Sequence, residues 1–187
     1  MNPYPTVSFT EMRRGTPGDF DLIDANDART LCKLPDRILE HLRLTADDDG
    51  AYPIDRLQHV LQTATRAERD GADDDWVVAA LLHDIGDILA PCSHGAVAAE
   101  ILRPFVRADV AWVVHHHGAF QRAYYANRPE SERNEREQYR EHPHYGAALD
   151  FCRDWDQCSF DPGYDTLPLE HFEPLVRRVF ARAPCSR

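Results

Sequence analysis

Two adjacent residues at the end of an apolar run, His83 and Asp84, are of types that bind metal ions. The run, residues 77–82, consists of Val, Ala and Leu without a turn residue, which predicts a buried helix. An imidazole and a carboxylate buried there without partners would each cost several kcal/mol. A metal ion would satisfy both, because imidazole nitrogen and carboxylate oxygen are common ligands of first-row metals. The alternative is a helix end at which the two side chains only cap the backbone or pair.

Other histidines and an aspartate interrupt apolar helical faces elsewhere in the chain. With the first pair they form the order His59, His83-Asp84, His94, one or more of His115, His116 and His117, and Asp156. One carboxylate can bridge two metals while imidazoles fill the outer positions, so we expect two ions that share Asp84. The first ion would also bind His59, His83 and Asp156. The second would also bind His94 and His117, and both would keep positions open for water, oxygen or substrate.

The elements that would position these residues are helices. Apolar spacing, cap residues and turn residues predict helices over residues 34–44, 54–70, 94–102, 145–155 and 169–181, one from 108 or 109 to 117, and a charged one over 119–140. The acidic segment 71–75 predicts a turn and an N-cap for the helix that carries His83. Residues 1–20 are rich in Pro and Gly and predict an irregular arm with a short extended piece at 6–9. The predicted fold class is all-α.

The length and the order of these elements predict the domain organisation. Residues 1–33 are interpreted as an N-terminal arm and residues 34–187 as one domain. Within the domain we expect a metal-binding core over about residues 52–157 and a C-terminal helix over about 169–181.

Composition narrows the choice of partners and compartment. The net charge of −11 argues against nucleic acid and anionic membranes. No apolar run reaches the ~18 residues of a membrane span, and the N-terminus lacks the pattern of a secretory signal. The five cysteines form no CxxC pair and are odd in number, which predicts free thiols in a reducing cytoplasm. We therefore expect a cytoplasmic protein with a small-molecule substrate, whose oligomeric state stays open.

The motifs resemble those of the HD-domain superfamily. The similar segments are 57–64 (Leu-Gln-His-Val-Leu-Gln-Thr-Ala), 80–86 (Ala-Leu-Leu-His-Asp-Ile-Gly), His94, 117–120 (His-Gly-Ala-Phe) and Trp155-Asp156. Within the superfamily they are most similar to the diiron oxygenase branch, which includes myo-inositol oxygenase and the HD-domain oxygenases that cleave carbon–phosphorus bonds. The segment 62–64, Gln-Thr-Ala, is typical of the oxygenases more than of the hydrolases. The resemblance covers about residues 52–157 and implies a helical bundle with a dinuclear metal site at its centre.

The resemblance implies the same metal ligands as the pattern, namely His59, His83, Asp84, His94, His117 and Asp156. It also implies two iron ions, one Fe2+ and one Fe3+ in the active state, with Mn2+ or Mg2+ as alternatives. The histidine triplet leaves one ligand open, because a shift of one residue would select His116 instead of His117. Adjacent helical residues point about 100° apart, so the two do not bind the same ion. The histidine that is not a ligand would line the pocket or face solvent.

The resemblance also assigns residues around the metals. Tyr52 is similar to a tyrosine that occupies a metal position until substrate displaces it. Arg153 is similar to a residue that binds an anionic group, with a surface arginine as the alternative. Asp87 lies on the helical face of His83, where the relatives have His or Lys, and Gln121 stands about where they have a phosphonate-binding lysine. These departures argue against a phosphonate or phosphate substrate. Asp87 would suit a cationic or hydroxyl-bearing substrate, act as a base, or pair with a nearby arginine.

The leading expectation is a diiron oxygenase that uses O2 to oxidise or cleave a small hydroxyl-bearing substrate, which could also be cationic. The alternative is a metal-dependent phosphohydrolase acting on a phosphoester or nucleotide, the commonest activity of HD domains. The scarcity of basic residues counts against it, since phosphoryl groups favour Arg or Lys, and on the first ligand helix only Arg56 and Arg66 qualify. A non-catalytic protein that binds a ligand or partner is the third alternative.

Overall fold

The computed structural model of this protein describes residues 4–47 and 51–184. Over these residues every regular element is a helix, so the predicted all-α fold is confirmed. Residues up to Ile38 and residues from Leu39 onward form two compact units, which we describe separately. The division falls inside a helix, Leu34–Leu44, and the predicted boundary after residue 33 therefore stays a prediction.

The N-terminal unit is more helical than the sequence analysis predicts. Helix α1, Pro17–Cys32, follows a 3₁₀ turn at Met12–Arg14, and helix α2 spans Leu34–Leu44. Thr16 caps α1: the N–H of Asp19 donates to its hydroxyl, and the N–H of Thr16 donates to the Asp19 carboxylate at 2.9 Å. The prediction of an irregular arm through residue 20 was wrong, because Pro17 stands in the first helical turn, where proline is favourable. The expected extended piece at 6–9 forms no strand.

The second unit continues with the helices that are expected to carry the site. They are α3 (Arg56–Arg69), α4 (Asp74–Leu82), α5 (His94–Leu102), α6 (Ala108–Gln121), a short α7 (Glu130–Arg133), α8 (Tyr145–Asp150) and α9 (Leu169–Phe180). Helix α8 runs directly into a π-helical segment, Phe151–Asp156. Helix α3 packs along α4 and α5 along α6, while the π-helical segment contacts both α3 and α6. The helices predicted over 34–44, 94–102 and 169–181 are confirmed to within one residue.

Helix α4 lies at the centre of the core of this unit. Its residues from Val78 to Leu82 have no exposed surface, because the helix is apolar on all sides and is covered on all sides. Helices α3, α6 and α9 pack against it with their apolar faces. A residue that directly follows such a helix starts from the protein interior, and His83 takes that position. The fold therefore places His83 and Asp84 in the interior of the helical bundle.

The predicted helix over residues 119–140 was wrong in its continuity. Helix α6 ends at Gln121, a 3₁₀ turn covers Arg122–Tyr124, α7 is one turn long, and a second 3₁₀ segment spans Glu135–Tyr139. Pro129 explains the interruption, since proline lacks an N–H and disfavours a helical conformation in the residue before it. Helix α6 in turn extends beyond the predicted end at residue 117, which puts Gln121 one turn after His117.

No helix in the described part of the chain is long and apolar enough to cross a membrane. Cys32, Cys92, Cys152 and Cys158 carry free thiols, as predicted, and Cys185 lies outside the described residues. Of these four, Cys152 is the buried one. Its position in the π-helical segment brings its sulfur to 3.8 Å from Oδ2 of Asp156.

Candidate metal centre

Helix α3 brings His59 into the interior. Asp55 caps the helix by accepting a hydrogen bond from the N–H of Gln58 at 2.7 Å. Val60 and the other apolar residues of this helix pack into the core, and His59, at their edge, is also buried. Its Nδ1 lies 2.9 Å from the carbonyl oxygen of Ser159, a hydrogen bond that sets the direction of the ring.

His83 and Asp84 directly follow the last residue of α4. Nδ1 of His83 lies 2.8 Å from the carbonyl oxygen of Ala80, so the fully buried ring is held against its own helix. Gly86 then makes the turn that leads to α5. A Cβ atom at Gly86 would lie 2.7 Å from the carbonyl oxygen of His94, which is too close for any residue other than glycine. The start of α5 is thereby placed beside Asp84.

A second close approach, at Gly95, joins α5 to α6. A Cβ atom there would lie 2.9 Å from the carbonyl oxygen of Val114 and 3.1 Å from the imidazole ring of His117. The two helices are therefore close enough for Nε2 of His94 to lie 3.1 Å from Nε2 of His117. The position of His117 in the site thus depends on a residue on the neighbouring helix that carries no side chain.

Asp156 is the last residue of the π-helical segment. The N–H of Gln157 donates to the carbonyl oxygen of Cys152 at 3.0 Å, which closes a turn of five residues where an α-helix closes one of four. The wider turn aims the buried Asp156 carboxylate at the space between α3 and α6. There its Oδ1 accepts a hydrogen bond from Nε2 of Gln121 at 3.0 Å. Single π-helical turns are frequent at functional sites.

The four histidines share one arrangement. Each directs Nδ1 at a backbone carbonyl oxygen, which accepts but does not donate, so each Nδ1 carries the proton. In the neutral ring Nε2 then presents its lone pair to the interior of the site. Nε2 of His59 lies 3.2 Å from Nε2 of His83, as close as the corresponding atoms of His94 and His117. Two lone pairs that face each other at this distance repel unless a cation lies between them.

A first cluster joins His59 and His83 to two carboxylates. Oδ1 of Asp156 lies 3.4 Å from Nε2 of His59 and 3.7 Å from Nε2 of His83. Oδ2 of Asp84 lies 3.6 Å and 3.5 Å from the same two nitrogens. Two nitrogens and two oxygens thus surround one point in the interior.

A second cluster uses the other oxygen of the same aspartate. Oδ1 of Asp84 lies 3.3 Å from Nε2 of His94 and 3.2 Å from Nε2 of His117. Asp84 therefore offers one oxygen to each pair of imidazoles. This is the arrangement of a carboxylate that bridges two metal ions.

The separations within both clusters fit metal ions. Nitrogen and oxygen ligands that lie about 2.0–2.2 Å from an ion and about 90–110° apart are roughly 2.8–3.6 Å from each other. The measured separations run from 3.1 to 3.7 Å. Both groups of potential metal ligands found among the described residues belong to this centre, namely His59–His83–Asp156 and His83–Asp84–His117. The donor set therefore suits a metal.

The electrostatics of the centre favour positive charge. Burial acts to raise the pKa of Asp84, but His83 and His117 outweigh it and hold the pKa well below the usual value. Burial likewise opposes ionisation of Asp156, whose pKa is lowered by His59 and His83. The two carboxylates in turn raise the pKa of His59 and His83 against the effect of burial. The carboxylates are thus ionised at neutral pH and attract a cation.

A cavity of about 280 Å³ opens onto both clusters and is bordered by His59, Asp84, His94, His117 and Asp156. Its walls include three further residues that the sequence analysis predicts near the metals: Tyr52, Asp87 and Gln121. They also include Arg56 (considered only for phosphoryl binding), Arg122, Phe160, and Tyr125, for which a core position was favoured over pocket lining. The predicted ligand set and its predicted surroundings therefore meet at one place in the fold.

Asp87 faces the cavity and is paired with an arginine, which was one of the predicted alternatives. Its side chain is 8% exposed and forms an ion pair with Arg56. Its Oδ1 also lies 3.1 Å from Nδ1 of His94. The carboxylate thus connects the mouth of the cavity to the second cluster.

Aromatic rings form one wall of the cavity. Tyr52 stacks on Phe160 with ring centroids 4.8 Å apart, and Phe160 stacks on His59 at 4.5 Å. Tyr125 also lines the cavity. Burial, together with the neighbouring Tyr52, raises the pKa of Tyr125 to about 12. Its phenol therefore stays protonated at neutral pH.

Arg153 does not reach the cavity. Its guanidinium is more than half exposed and pairs with Asp150 at 2.8 Å and Asp154 at 2.6 Å. This is the surface position that the sequence analysis left open. Residues three apart share a face in an α-helix, but the wider π-helical turn separates Arg153 from Asp156. The substrate contact that the resemblance implied for Arg153 is therefore absent from the wall of this cavity.

His116 also lies outside the cavity. Its ring centroid is 4.4 Å from that of Trp112 and 4.6 Å from that of Tyr139. Burial and the neighbouring His115 lower the pKa of His116 to about 4. Of the histidine triplet, His117 is the residue next to Asp84, in agreement with the preferred register.

The residues that sequence reasoning missed lie in irregular segments or depend on distant partners. Arg122 lies in the 3₁₀ turn after α6, and Tyr125 directly follows that turn. Phe160 lies in the loop after the π-helical segment. No periodic pattern marks such positions. The one sequence signal available for Phe160 was its position four residues after the proposed ligand Asp156.

Comparison with known families agrees with this geometry. The family model described as "HD domain" matches residues 56–150, which are 95 of the 187 residues. The chain belongs to the HD-domain family. The HD-domain match includes every proposed ligand of the two clusters except Asp156, which lies six residues beyond it. The expected resemblance to HD domains is thereby confirmed.

One curated relative of this HD-domain protein is the "[1-hydroxy-2-(trimethylamino)ethyl]phosphonate dioxygenase (glycine-betaine-forming)" of Leisingera caerulea. The two are 33% identical in an alignment of 89 residues that covers 42% of this chain and 45% of the relative. The chain thus aligns with less than half of the relative's length. The printed activity and substrate are those of the relative.

Proposed function

We propose that this HD-domain protein is a diiron oxygenase that uses O2 to oxidise or cleave a small hydroxyl-bearing substrate. The observation that carries the proposal is the division of the Asp84 carboxylate between the His59–His83 pair and the His94–His117 pair. A carboxylate whose two oxygens face two separate pairs of imidazoles suits a dinuclear centre, whereas a single ion would use only one of these pairs. The relative's printed activity as a dioxygenase supports the same class.

The ligands would be His59, His83, Asp84 and Asp156 for one iron and Asp84, His94 and His117 for the other. When bound, an Fe2+/Fe3+ pair supplies the one-electron chemistry that reaction with O2 needs. Neither cluster contains six protein donors, so each leaves room for a small ligand from the cavity. In this mechanism the protein holds these donors rigidly and orients the substrate.

The cavity suits a substrate that is cationic as well as hydroxyl-bearing. The aromatic wall of Tyr52, Phe160 and Tyr125 offers π faces, to which cations are attracted. Four carboxylates border the cavity, belonging to Asp55, Asp84, Asp87 and Asp156, against two guanidinium groups. The relative's substrate name includes both a hydroxyl and a trimethylamino group. In this proposal Tyr52 and Asp87 contact the substrate, with Asp87 available as a base.

A metal-dependent phosphohydrolase that uses Mn2+ or Mg2+ is the second candidate. One observation favours it: Arg56 and Arg122 both line the cavity, and guanidinium groups bind phosphoryl oxygens. Each of them, however, is already paired with a carboxylate, Arg56 with Asp87 and Arg122 with Glu135. The two pairs lower the net positive charge available to a phosphoryl group.

The test starts from protein purified without oxygen. Elemental analysis is expected to find about two irons per chain, and electron paramagnetic resonance a mixed-valent pair. Oxygen uptake is then measured with the relative's hydroxyphosphonate, with choline and with a panel of small polyols. His83→Ala should abolish the uptake, while His171→Ala, which removes an exposed histidine paired with Glu68, should retain it.

The outcomes separate the two candidates. A protein that holds one ion of another metal and hydrolyses phosphomonoesters or nucleotides with Mn2+ or Mg2+ would replace the oxygenase proposal with the second one. Two irons together with substrate-dependent oxygen uptake would exclude the phosphohydrolase as the main activity.

A further inference from the structure

Gln121 occupies a position between the metal centre and the cavity. It is the last residue of α6 and stands four residues after His117, on the same face of the helix. Its side chain is 8% exposed and lines the cavity. Its Nε2 donates a hydrogen bond to Oδ1 of Asp156 at 3.0 Å. The residue therefore touches both a proposed metal ligand and the space for the substrate.

The orientation of the Gln121 amide follows from its partner. An ionised carboxylate only accepts hydrogen bonds, so the NH2 group of the amide must point at Asp156. The amide oxygen, Oε1, consequently points the other way. It is buried and has no hydrogen-bond donor among residues 4–47 and 51–184. Buried polar atoms without a partner are rare in proteins, and one on a residue that lines a cavity indicates a ligand that brings the donor.

We infer that Oε1 of Gln121 accepts a hydrogen bond from the substrate and so selects a hydroxyl or N–H group over an anionic group at this position. The inference rests on the proposed function, because it assumes that the cavity above the metals is the substrate site. An anionic group here would face an oxygen atom of like partial charge. A donor group would satisfy that oxygen and complete the polar network that begins at Asp156.

The charges around Gln121 act in the same direction. Asp156 is its direct partner, and Asp84 and Asp87 border the same cavity. The guanidinium of Arg122, the next residue, is paired with Glu135. A neutral donor or a cation therefore meets a more favourable potential at this wall of the cavity than an anion does.

The test compares two probes of similar size that share a trimethylammonium group. Choline ends in a hydroxyl, which donates, and glycine betaine ends in a carboxylate, which does not. Binding of each probe to the iron-loaded protein is measured by calorimetry without oxygen, so that no turnover occurs. We expect the wild type to bind choline about tenfold or more tightly than glycine betaine, because a site built for a donor rejects the analogue that lacks it.

Three variants locate the effect at residue 121. Gln121→Met keeps the length of the side chain without its amide and should remove the preference for choline. Gln121→Lys replaces the acceptor with a cation and should reverse the preference in favour of glycine betaine. Gln138→Leu removes a glutamine amide that donates to a backbone carbonyl at 3.0 Å outside the cavity and should leave the preference unchanged. Iron content is measured in each variant, since loss of the bond to Asp156 can also weaken the metal site.

The results distinguish this inference from the proposed function. A wild type that binds the two probes equally, or binds neither, overturns the inference. So does a preference that Gln121→Met leaves intact with iron bound, because an enclosed water would then be the partner of Oε1. Selectivity that depends on Gln121 without any oxygen uptake would support the inference and contradict the oxygenase. Substrate-dependent oxygen uptake with selectivity independent of residue 121 would do the opposite.

Discussion

Oδ1 of Asp87 lies 3.1 Å from Nδ1 of His94, while the other oxygen of the same carboxylate is paired with Arg56. Nδ1 of His94 also lies 3.2 Å from the carbonyl oxygen of Pro91. Two acceptors thus stand behind the ring, and its Nε2 is turned toward Asp84 and His117. A carboxylate behind a metal-binding imidazole fixes the ring and increases the basicity of the ligand nitrogen. Asp87 therefore connects the substrate cavity to the second cluster.

Replacement of Asp87 should weaken one metal site selectively. Asp87→Ala removes both the charge and the acceptor behind His94, and we expect a loss of about 10–100-fold in metal affinity at the second cluster. The His59–His83 cluster does not contact Asp87 and should retain its ion. Calorimetry of a metal titration, fitted with two sites, checks this. Asp165→Asn, which changes an exposed aspartate paired with Arg69, is the control. Equal weakening of both sites would refute the role of Asp87.

Replacement of the shared aspartate should differ from replacement of an outer histidine. Asp84→Ala removes an oxygen from each cluster, so we expect a fall from about two ions per chain to nearly none. His94→Ala should remove about one ion, since the first cluster keeps all of its donors. Elemental analysis after desalting measures both values, and His171→Ala serves as the matched control. A single ion retained by Asp84→Ala would mean that Asp84 does not bridge.

The glycine at the contact of α5 and α6 should not tolerate a side chain. Gly95→Ala would place Cβ 2.9 Å from the carbonyl oxygen of Val114, and overpacking of this kind lowers stability by about 1–3 kcal/mol. Since the same Cβ would press on the His117 ring, metal affinity should fall as well. Unfolding in urea and metal titration measure the two effects.

Gly146→Ala provides the comparison for that experiment. Gly146 is in a helix, and a Cβ atom there would have nothing within 4 Å. The substitution should be neutral or raise the free energy of unfolding by about 0.5–1 kcal/mol, because alanine favours the helix more than glycine does. If the two alanine variants behaved alike, the close approach at Gly95 would not matter.

The N-terminal unit should lose stability in acid. Hydrogen bonds from the backbone N–H groups of Ser8 and Thr16 lower the pKa of Asp19 from 3.8 to about 2. Between these two values the unfolded chain binds the proton more readily than the folded one, so the stabilisation is complete above about pH 4 and is lost as the pH falls toward 2. Hydrogen exchange of the α1 amides as a function of pH measures the loss. Asp19→Asn should remove the pH step, and Asp24→Asn, an exposed change on the same helix, should keep it.

Several features of the centre could be predicted from the sequence because they are local. The apolar run before His83 and the helical spacing around His59 and His94 indicate buried helices with polar ends, and the structure has them. The order of the ligand types predicted that Asp84 would lie between two groups of imidazoles. The helix α1 was missed because Pro17 and Gly18 were interpreted as breakers, although a proline in the first turn is compatible with a helix.

Other features join residues that are distant in the chain and have no local signature. The hydrogen bond from Gln121 to Asp156 spans 35 residues, and the pairing of Arg56 with Asp87 connects helix α3 to the turn that follows α4. Arg153 was assigned to the site from the family resemblance, which carries no information on how the turn before Asp156 closes. The structure shows a π-helical segment there, and no pattern of apolar residues distinguishes the two kinds of turn.

The π-helical segment sets a limit on insertions in this part of the chain. Its turn holds one more residue than an α-helical turn would, and Asp156 is aimed correctly only because of that extra residue. Closure of the present residues as an ordinary α-helix, or the gain of one more residue between Phe151 and Trp155, would change the helical register of the residues that follow. Every later side chain would then rotate by about 100° about the helix axis, and the Asp156 carboxylate would turn away from His59 and His83. The length of this short stretch therefore matters as much as the identity of the aspartate at its end.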